Sequence, residues 1–172
     1  METKRIQIFG VLCLVLFAVV FSPSIRGWVA SSLRAKIFTV GTSEIAVPKG
    51  WLVSQEAGKL SAWKPCVTVF CGVPSQASFL IKTSTLPEPE WENSSKKTIH
   101  DQGYPEVSVT HVESRDGSFV CVEAQGLVQN SKSITSCLSP ELSLTSTFLG
   151  DPALKNVHFS VLRSARRVMV LR

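Results

Sequence analysis

The chain opens on a segment that restricts everything after it. Residues 6–25 are 20 consecutive positions without a formal charge, preceded by Lys4 and Arg5 and followed by Arg26. Within it, residues 6–21 are apolar apart from Gln7 and Gly10. A helix rises about 1.5 Å per residue, so about 20 residues reach across the roughly 30 Å hydrocarbon core of a bilayer. A helix packed in a soluble core keeps a polar side for water, and this segment has none. Residues 6–25 are therefore predicted to form one transmembrane helix, which makes the lipid bilayer a partner of this chain. A basic start followed by an apolar stretch also marks a cleaved signal peptide. Cleavage needs small residues at a fixed spacing, and neither Ser22 with Ser24 around Pro23 nor Ala30 with Ser32 makes a clean A-x-A site. Retention as an anchor is preferred, with a secreted soluble protein as the alternative. Trp28 suits the interface just past the span, and Cys13 reads as a small apolar residue within it.

Flanking charge does not orient the span, since Lys4 and Arg5 precede it while Arg26, Arg34 and Lys36 follow. Cysteine usage does. Beyond the apolar segment lie Cys66, Cys71, Cys121 and Cys137, an even number that allows three disulfide connectivities. Local pairing is the simplest. Cys66 and Cys71 bracket residues 67–70, while Cys121 and Cys137 fall in two successive strand-like runs. The latter two meet if the register opposes them at the Cα separation of about 4.4–6.8 Å that a disulfide needs. A four-thiolate zinc site and four free buried thiols are the alternatives. Structural zinc favours ligand pairs about two to four residues apart, which C-x4-C and C-x15-C do not supply. Disulfides are preferred, and they imply an oxidising compartment across the membrane, periplasmic or lumenal.

Residues 1–25 are thus read as an anchor or signal segment, 26–36 as a short stalk, and 37–172 as an exported domain. With 44% hydrophobic and 18% charged residues the chain has the composition of a folded protein rather than a disordered one. Short β-rich runs are predicted at 37–40, 44–47, 67–70 and 77–85. Residues 86–90, with Pro87 and Pro89, read as a break, and 91–102 as a helix ending before Gly103. Runs 106–113 and 118–125 flank Asp116-Gly117, a pair that tolerates the positive φ of tight hairpins. Two more runs, 134–138 and 142–148, bring the total to seven or eight strands. The last element is the clearest. Asp151 is placed as a helix N-cap before Pro152 at the first helical position. Leu154, Val157, Val161, Leu162, Ala165 and Val168 then recur at helical spacing, with Arg163, Arg166 and Arg167 in the last turns, where they complement the dipole. The predicted fold class is α+β: a transmembrane helix, then a mostly antiparallel β-sheet domain packed with a C-terminal helix. The apolar tail at 168–171 suits an added edge strand or a partner contact.

Residues Ile45-Ala46-Val47-Pro48-Lys49-Gly50-Trp51, and later Thr147-Phe148-Leu149-Gly150 followed by a helix over 151–167, resemble the PsbP-like family of domains, named for an extrinsic protein of photosystem II. These motifs touch about a sixth of the chain. The resemblance implies an antiparallel sheet flanked by helices and a binding or accessory role without a shared catalytic centre. It carries no functional residues across, and the four cysteines are not among its expected features.

Candidate chemistry is sparse. His100, His111 and His158 match no ligand motif such as H-E-x-x-H and read as separate solvated or helix-surface residues. A Cys121–His111 nucleophile lacks an orienting third group. Ser118 is not in a G-x-S-x-G elbow. Glu88, Glu90 and Glu92 lack calcium-loop spacing and suit a helix start instead. Formal charge is +1 over residues 1–25, zero over 26–150 and +4 over 151–172. That terminal excess suits a helix C-terminus, an acidic partner or anionic lipid, and no basic face interleaved with aromatics points to nucleic acid. Asn93-Ser94-Ser95 fits the glycosylation acceptor pattern of a secretory protein. No catalytic, cofactor-binding or metal residues are assigned, so the chain reads as more binding module than enzyme. The expected function is a membrane-anchored extracytoplasmic binding or accessory domain with a protein partner, a subunit of an envelope complex. The alternative from the enzyme class is a thiol-disulfide redox protein using Cys66 and Cys71.

Overall fold

A computed structural model describes residues 35–65, 75–104, 106–125 and 132–168, together with Cys13 and Val15. The predicted span at 6–25 and the stalk therefore lie almost wholly outside the described residues. So do Cys66, Cys71 and the expected strand at 67–70. Cys13 and Val15 are helical and exposed. Among the described residues no helix is long and apolar enough to cross a membrane.

Two antiparallel sheets make the frame. The smaller pairs β1 (Lys36–Val40) with β2 (Ser43–Val47), and a two-residue strand, β10 (Arg166–Arg167), adds to the other side of β2. The β1–β2 turn is two residues long, and Gly41 takes its first position at φ 60°, a conformation open to glycine without strain. The larger sheet holds β3 (Leu52–Glu56), β4 (Lys59–Pro65), β5 (Ser75–Thr83), β6 (Ser108–Glu113), β7 (Ser118–Gln125), β8 (Ser133–Ser139) and β9 (Leu144–Gly150), in the order β3-β4-β5-β9-β8-β7-β6. It consists of two meanders joined where β5 meets β9, in register from Ala77 opposite Gly150 to Thr83 opposite Leu144. The backbones approach closely there. A Cβ on Gly150 would lie 2.5 Å from the Ala77 Cα, so only glycine fits.

One face of the large sheet packs on the small sheet and on α2 (Lys155–Arg163). Phe79, Ile81, Phe119, Leu144 and Phe148 from the large sheet meet Val40, Ile45, Val47, Val161 and Leu162 in this core. On the opposite face α1 (Glu88–Asp101) covers β7 and β8, burying Trp91 and Ile99 against Val120, Val122, Ile134 and Leu138. Alternate residues of β7 and β8 thus enter different cores. This explains why both strands are buried almost throughout, whereas a strand with one wet face alternates between buried and exposed residues.

Several expectations are corrected. The hairpin β3–β4 is an addition to the expected strands: its two runs mix a few apolar residues with Ser, Gln, Glu and Lys, and only Val53 is β-branched. α1 begins at Glu88, not at 91, since Pro87 is its N-cap and Pro89 sits in the first turn, where no backbone N–H is required. The β6–β7 connection spans residues 114–117 between paired Glu113 and Ser118, and neither Asp116 nor Gly117 adopts positive φ. Ser114 closes this wider loop, its backbone N–H and its Oγ both donating to the Gly117 carbonyl, at 2.9 and 2.8 Å. The C-terminal segment starts as predicted, with Asp151 Oδ1 accepting from the Ala153 N–H at 2.9 Å, but through a 3₁₀ turn (Pro152–Leu154). It ends at Arg163. Ser164 Oγ then accepts the Ala46 N–H at 2.9 Å, and the chain turns into β10. Arg166 and Arg167 are therefore strand residues, and Arg166 pairs with Glu44 at 2.7 Å.

Candidate functional site

Cys121 and Cys137 occupy directly opposed positions of β7 and β8 and form a disulfide, with Cα atoms 4.0 Å apart. Both are fully buried. A cross-strand bridge at this position follows from register alone: the strands are joined by a short connection, and both side chains face the core shared with α2. A Cys121–His111 nucleophile is excluded, because Cys121 is oxidised and points inward while His111 is exposed on β6, opposite Val120.

His158 overturns the expectation of three solvated histidines. It is fully buried on α2, and its Nε2 lies 2.7 Å from Ser146 Oγ on β9. Its ring stacks on Phe148 at 5.3 Å, with Phe79 at 5.8 Å and Phe159 at 5.9 Å. Nδ1 has no hydrogen-bond partner among the described residues. Burial in this aromatic setting disfavours the imidazolium and lowers its pKa to about 3. The Ser146–His158 pair has the composition of a nucleophile and its base, yet Ser146 is buried as well and the ring's second nitrogen has no orienting acceptor. Its chemistry is structural: one neutral hydrogen bond inside an apolar core. Ser146 stands opposite Cys137, so the pair and the disulfide share one layer of that core.

The remaining candidates stay apart. His100 is exposed on α1, Ser118 opens β7, and Glu92 pairs with Lys96 at 2.6 Å on α1. Asn93 lies on the exposed side of α1. Among the described residues no group of three His, Cys, Asp or Glu side chains could hold a metal ion.

Two surface clefts among the described residues bear on function. One, about 420 Å³, lies beside β10 between Glu44, Arg115, Asp116, Arg166 and Arg167. The Asp116 carboxylate accepts the Arg167 N–H at 2.7 Å, and the Arg167 guanidinium donates to the Glu141 carbonyl at 2.7 Å, so most of its charges are already engaged. The other, about 340 Å³, lies between the start of α2 and the ends of β6, β7 and β8. Its floor carries Glu123, whose Oε2 accepts from Lys155 Nζ at 2.7 Å. The Glu123 side chain is 11% exposed and that of Lys155 34%. Neither residue was singled out from sequence, although a signal exists: Phe119, Cys121 and Glu123 alternate onto one face of β7, which places a carboxylate in an otherwise apolar series.

No family model and no curated protein matches the chain. Among solved structures, it is similar to the solution structure of cyanobacterial PsbP (CyanoP) from Synechocystis sp. PCC 6803, at 14% identity and a TM-score of 0.50, over 80% of this chain and 94% of that one. The likeness is one of fold, and it agrees with the resemblance read from residues 45–51 and 147–167.

Proposed function

We propose that this chain is an accessory, non-catalytic domain held on the extracytoplasmic side of a membrane by residues 6–25, where it acts by binding a protein partner of an envelope complex. The observation that carries the reading is the fully buried Cys121–Cys137 disulfide within a PsbP-like sheet. A bridge so placed has to form as the sheet closes, which fits an oxidising compartment. The length of the apolar segment supports the anchor. The Ser146–His158 pair, sealed from solvent, supports a binding role over catalysis.

Native membranes, solubilised in mild detergent and cross-linked, provide the test. The expected result is an uncleaved chain that resists carbonate extraction, carries bridged cysteines by mass before and after reduction with alkylation, and co-purifies with a protein partner. A chain that is cleaved and released would support the secreted alternative. A Cys66–Cys71 pair that cycles with mild reductant would support the redox one. An uncut, fully alkylatable chain in the cytosol would defeat all three.

A further inference from the structure

The cleft between α2 and the ends of β6–β8 is built differently from the rest of the surface. Along β7 the inward face runs Phe119, Cys121, Glu123, Gln125, passing from apolar core to polar floor within two residues. Ser108 stands opposite Glu123 and Ser133 opposite Gln125, so the floor consists of hydroxyls, an amide and a carboxylate. Pro152 and Lys155 form the wall, and Glu106 stands at the open side. A volume of about 340 Å³ falls within the range of roughly 300–1,000 Å³ usual for small-molecule sites.

Its charges are only partly used. Lys155 Nζ donates one N–H to Glu123 Oε2 and lies 5.8 Å from the Phe159 ring centroid, and its other two N–H groups have no oxygen acceptor among the described residues. Glu123 Oε1 and the Glu106 carboxylate have no partner there either. Ser108 and Ser133 each donate to a backbone carbonyl at 3.4 Å and keep lone pairs for accepting. An ion pair withdrawn from water loses hydration that its own attraction only partly returns, so leaving this pair open keeps it hydrated and within a ligand's reach. Here it faces an open cleft. A purely cationic ligand would meet Lys155, and a purely anionic one would meet the two carboxylates. A ligand carrying both charges satisfies both.

We propose that this cleft binds a small zwitterion of amino-acid or dipeptide size, with the ligand carboxylate on Lys155 and its ammonium on Glu123 and Glu106. The site would make the protein a ligand-responsive domain, and it stands independently of the accessory role, because neither the anchor nor a protein partner enters the argument.

The test is calorimetric titration of the full chain in mild detergent with L-alanine, glycylglycine and triglycine, and with the blocked compounds N-acetylglycine and glycinamide. At least one zwitterion is expected to bind saturably below about 10 mM. The blocked compounds, each lacking one charge, are expected to bind at least about tenfold more weakly. Glu106→Gln, at an exposed position, is expected to weaken binding several-fold without changing the melting temperature. Lys155→Met is expected to abolish the preference for a free carboxylate. Lack of saturation by all three zwitterions, equal binding of blocked and free compounds, or an unchanged affinity in Glu106→Gln would each overturn the proposal.

Discussion

His158 shows how one residue's setting decides its chemistry. Its folded pKa of about 3 lies below the ordinary value of 6.5, so the native state takes up a proton less readily than the unfolded chain. The stability this neutral ring contributes is complete above pH 6.5 and is lost as pH falls from there towards 3. Between pH 7.5 and 4.5 the loss is expected to reach about 3 kcal/mol, read as a lower denaturation midpoint. His158→Gln, which keeps a partner for Ser146, should flatten that slope, and an unchanged slope would remove His158 as its cause. The burial was legible in part. Position 158 lies four residues after Leu154 and three before Val161, inside the apolar stripe, a spacing that argues for the packed face against the solvated reading. Ser146 as its partner was not legible, since β9 and α2 meet only in the tertiary fold. Gly150 offers a steric counterpart. Gly150→Ala is expected to lower stability by about 2–3 kcal/mol by forcing β9 from Ala77, a loss measurable as a drop in melting temperature.

At the scale of elements, local chemistry set the beginnings and tertiary contact set the ends. α2 is approached through a capped 3₁₀ turn because Asp151 and Pro152 satisfy its first positions whatever lies around them. Asp151→Ala is expected to cost about 1 kcal/mol, visible in urea unfolding. Its C-terminus is different. The apolar stripe and the arginines continue to 168, yet the helix stops at Arg163 because Ser164 binds the backbone of Ala46 and Arg166 reaches Glu44. Both partners are more than a hundred residues distant, so no local pattern announces the stop. The same contrast explains α1. In sequence Pro87 and Pro89 read as a break, but proline within a first turn removes no helical hydrogen bond, and the buried Trp91 then fastens that turn to the sheet.

Across the whole molecule the disulfide and the β5–β9 ladder do complementary work. The ladder joins two meanders, and the bridge links adjacent strands of one of them, closing a loop of sequence separation 16. In the chain-entropy model a bridge over about 15 residues contributes about 3 kcal/mol. Cys121→Ala with Cys137→Ala is therefore expected to lower the unfolding free energy by about that amount, or more through the cavity left behind. In the native state the bridge should resist mild reductant, because both sulfurs are buried. Rapid native-state alkylation at both positions would contradict the packing described.

By itself the sequence determined whatever depends on neighbours a few residues away. These features are the membrane-length apolar segment, the Asp151-Pro152 start of the last helical segment, the strand-rich middle and the stripe that packs α2. Such signals arise from steric preference and periodic burial, which act locally. Only the tertiary structure decided that β5 lies beside β9, that Cys121 faces Cys137, that a histidine is sealed against Ser146, and that a carboxylate and an ammonium share an open cleft. Each of these joins segments distant in sequence, and register is chosen by the packing of both faces of a sheet together rather than by any one strand.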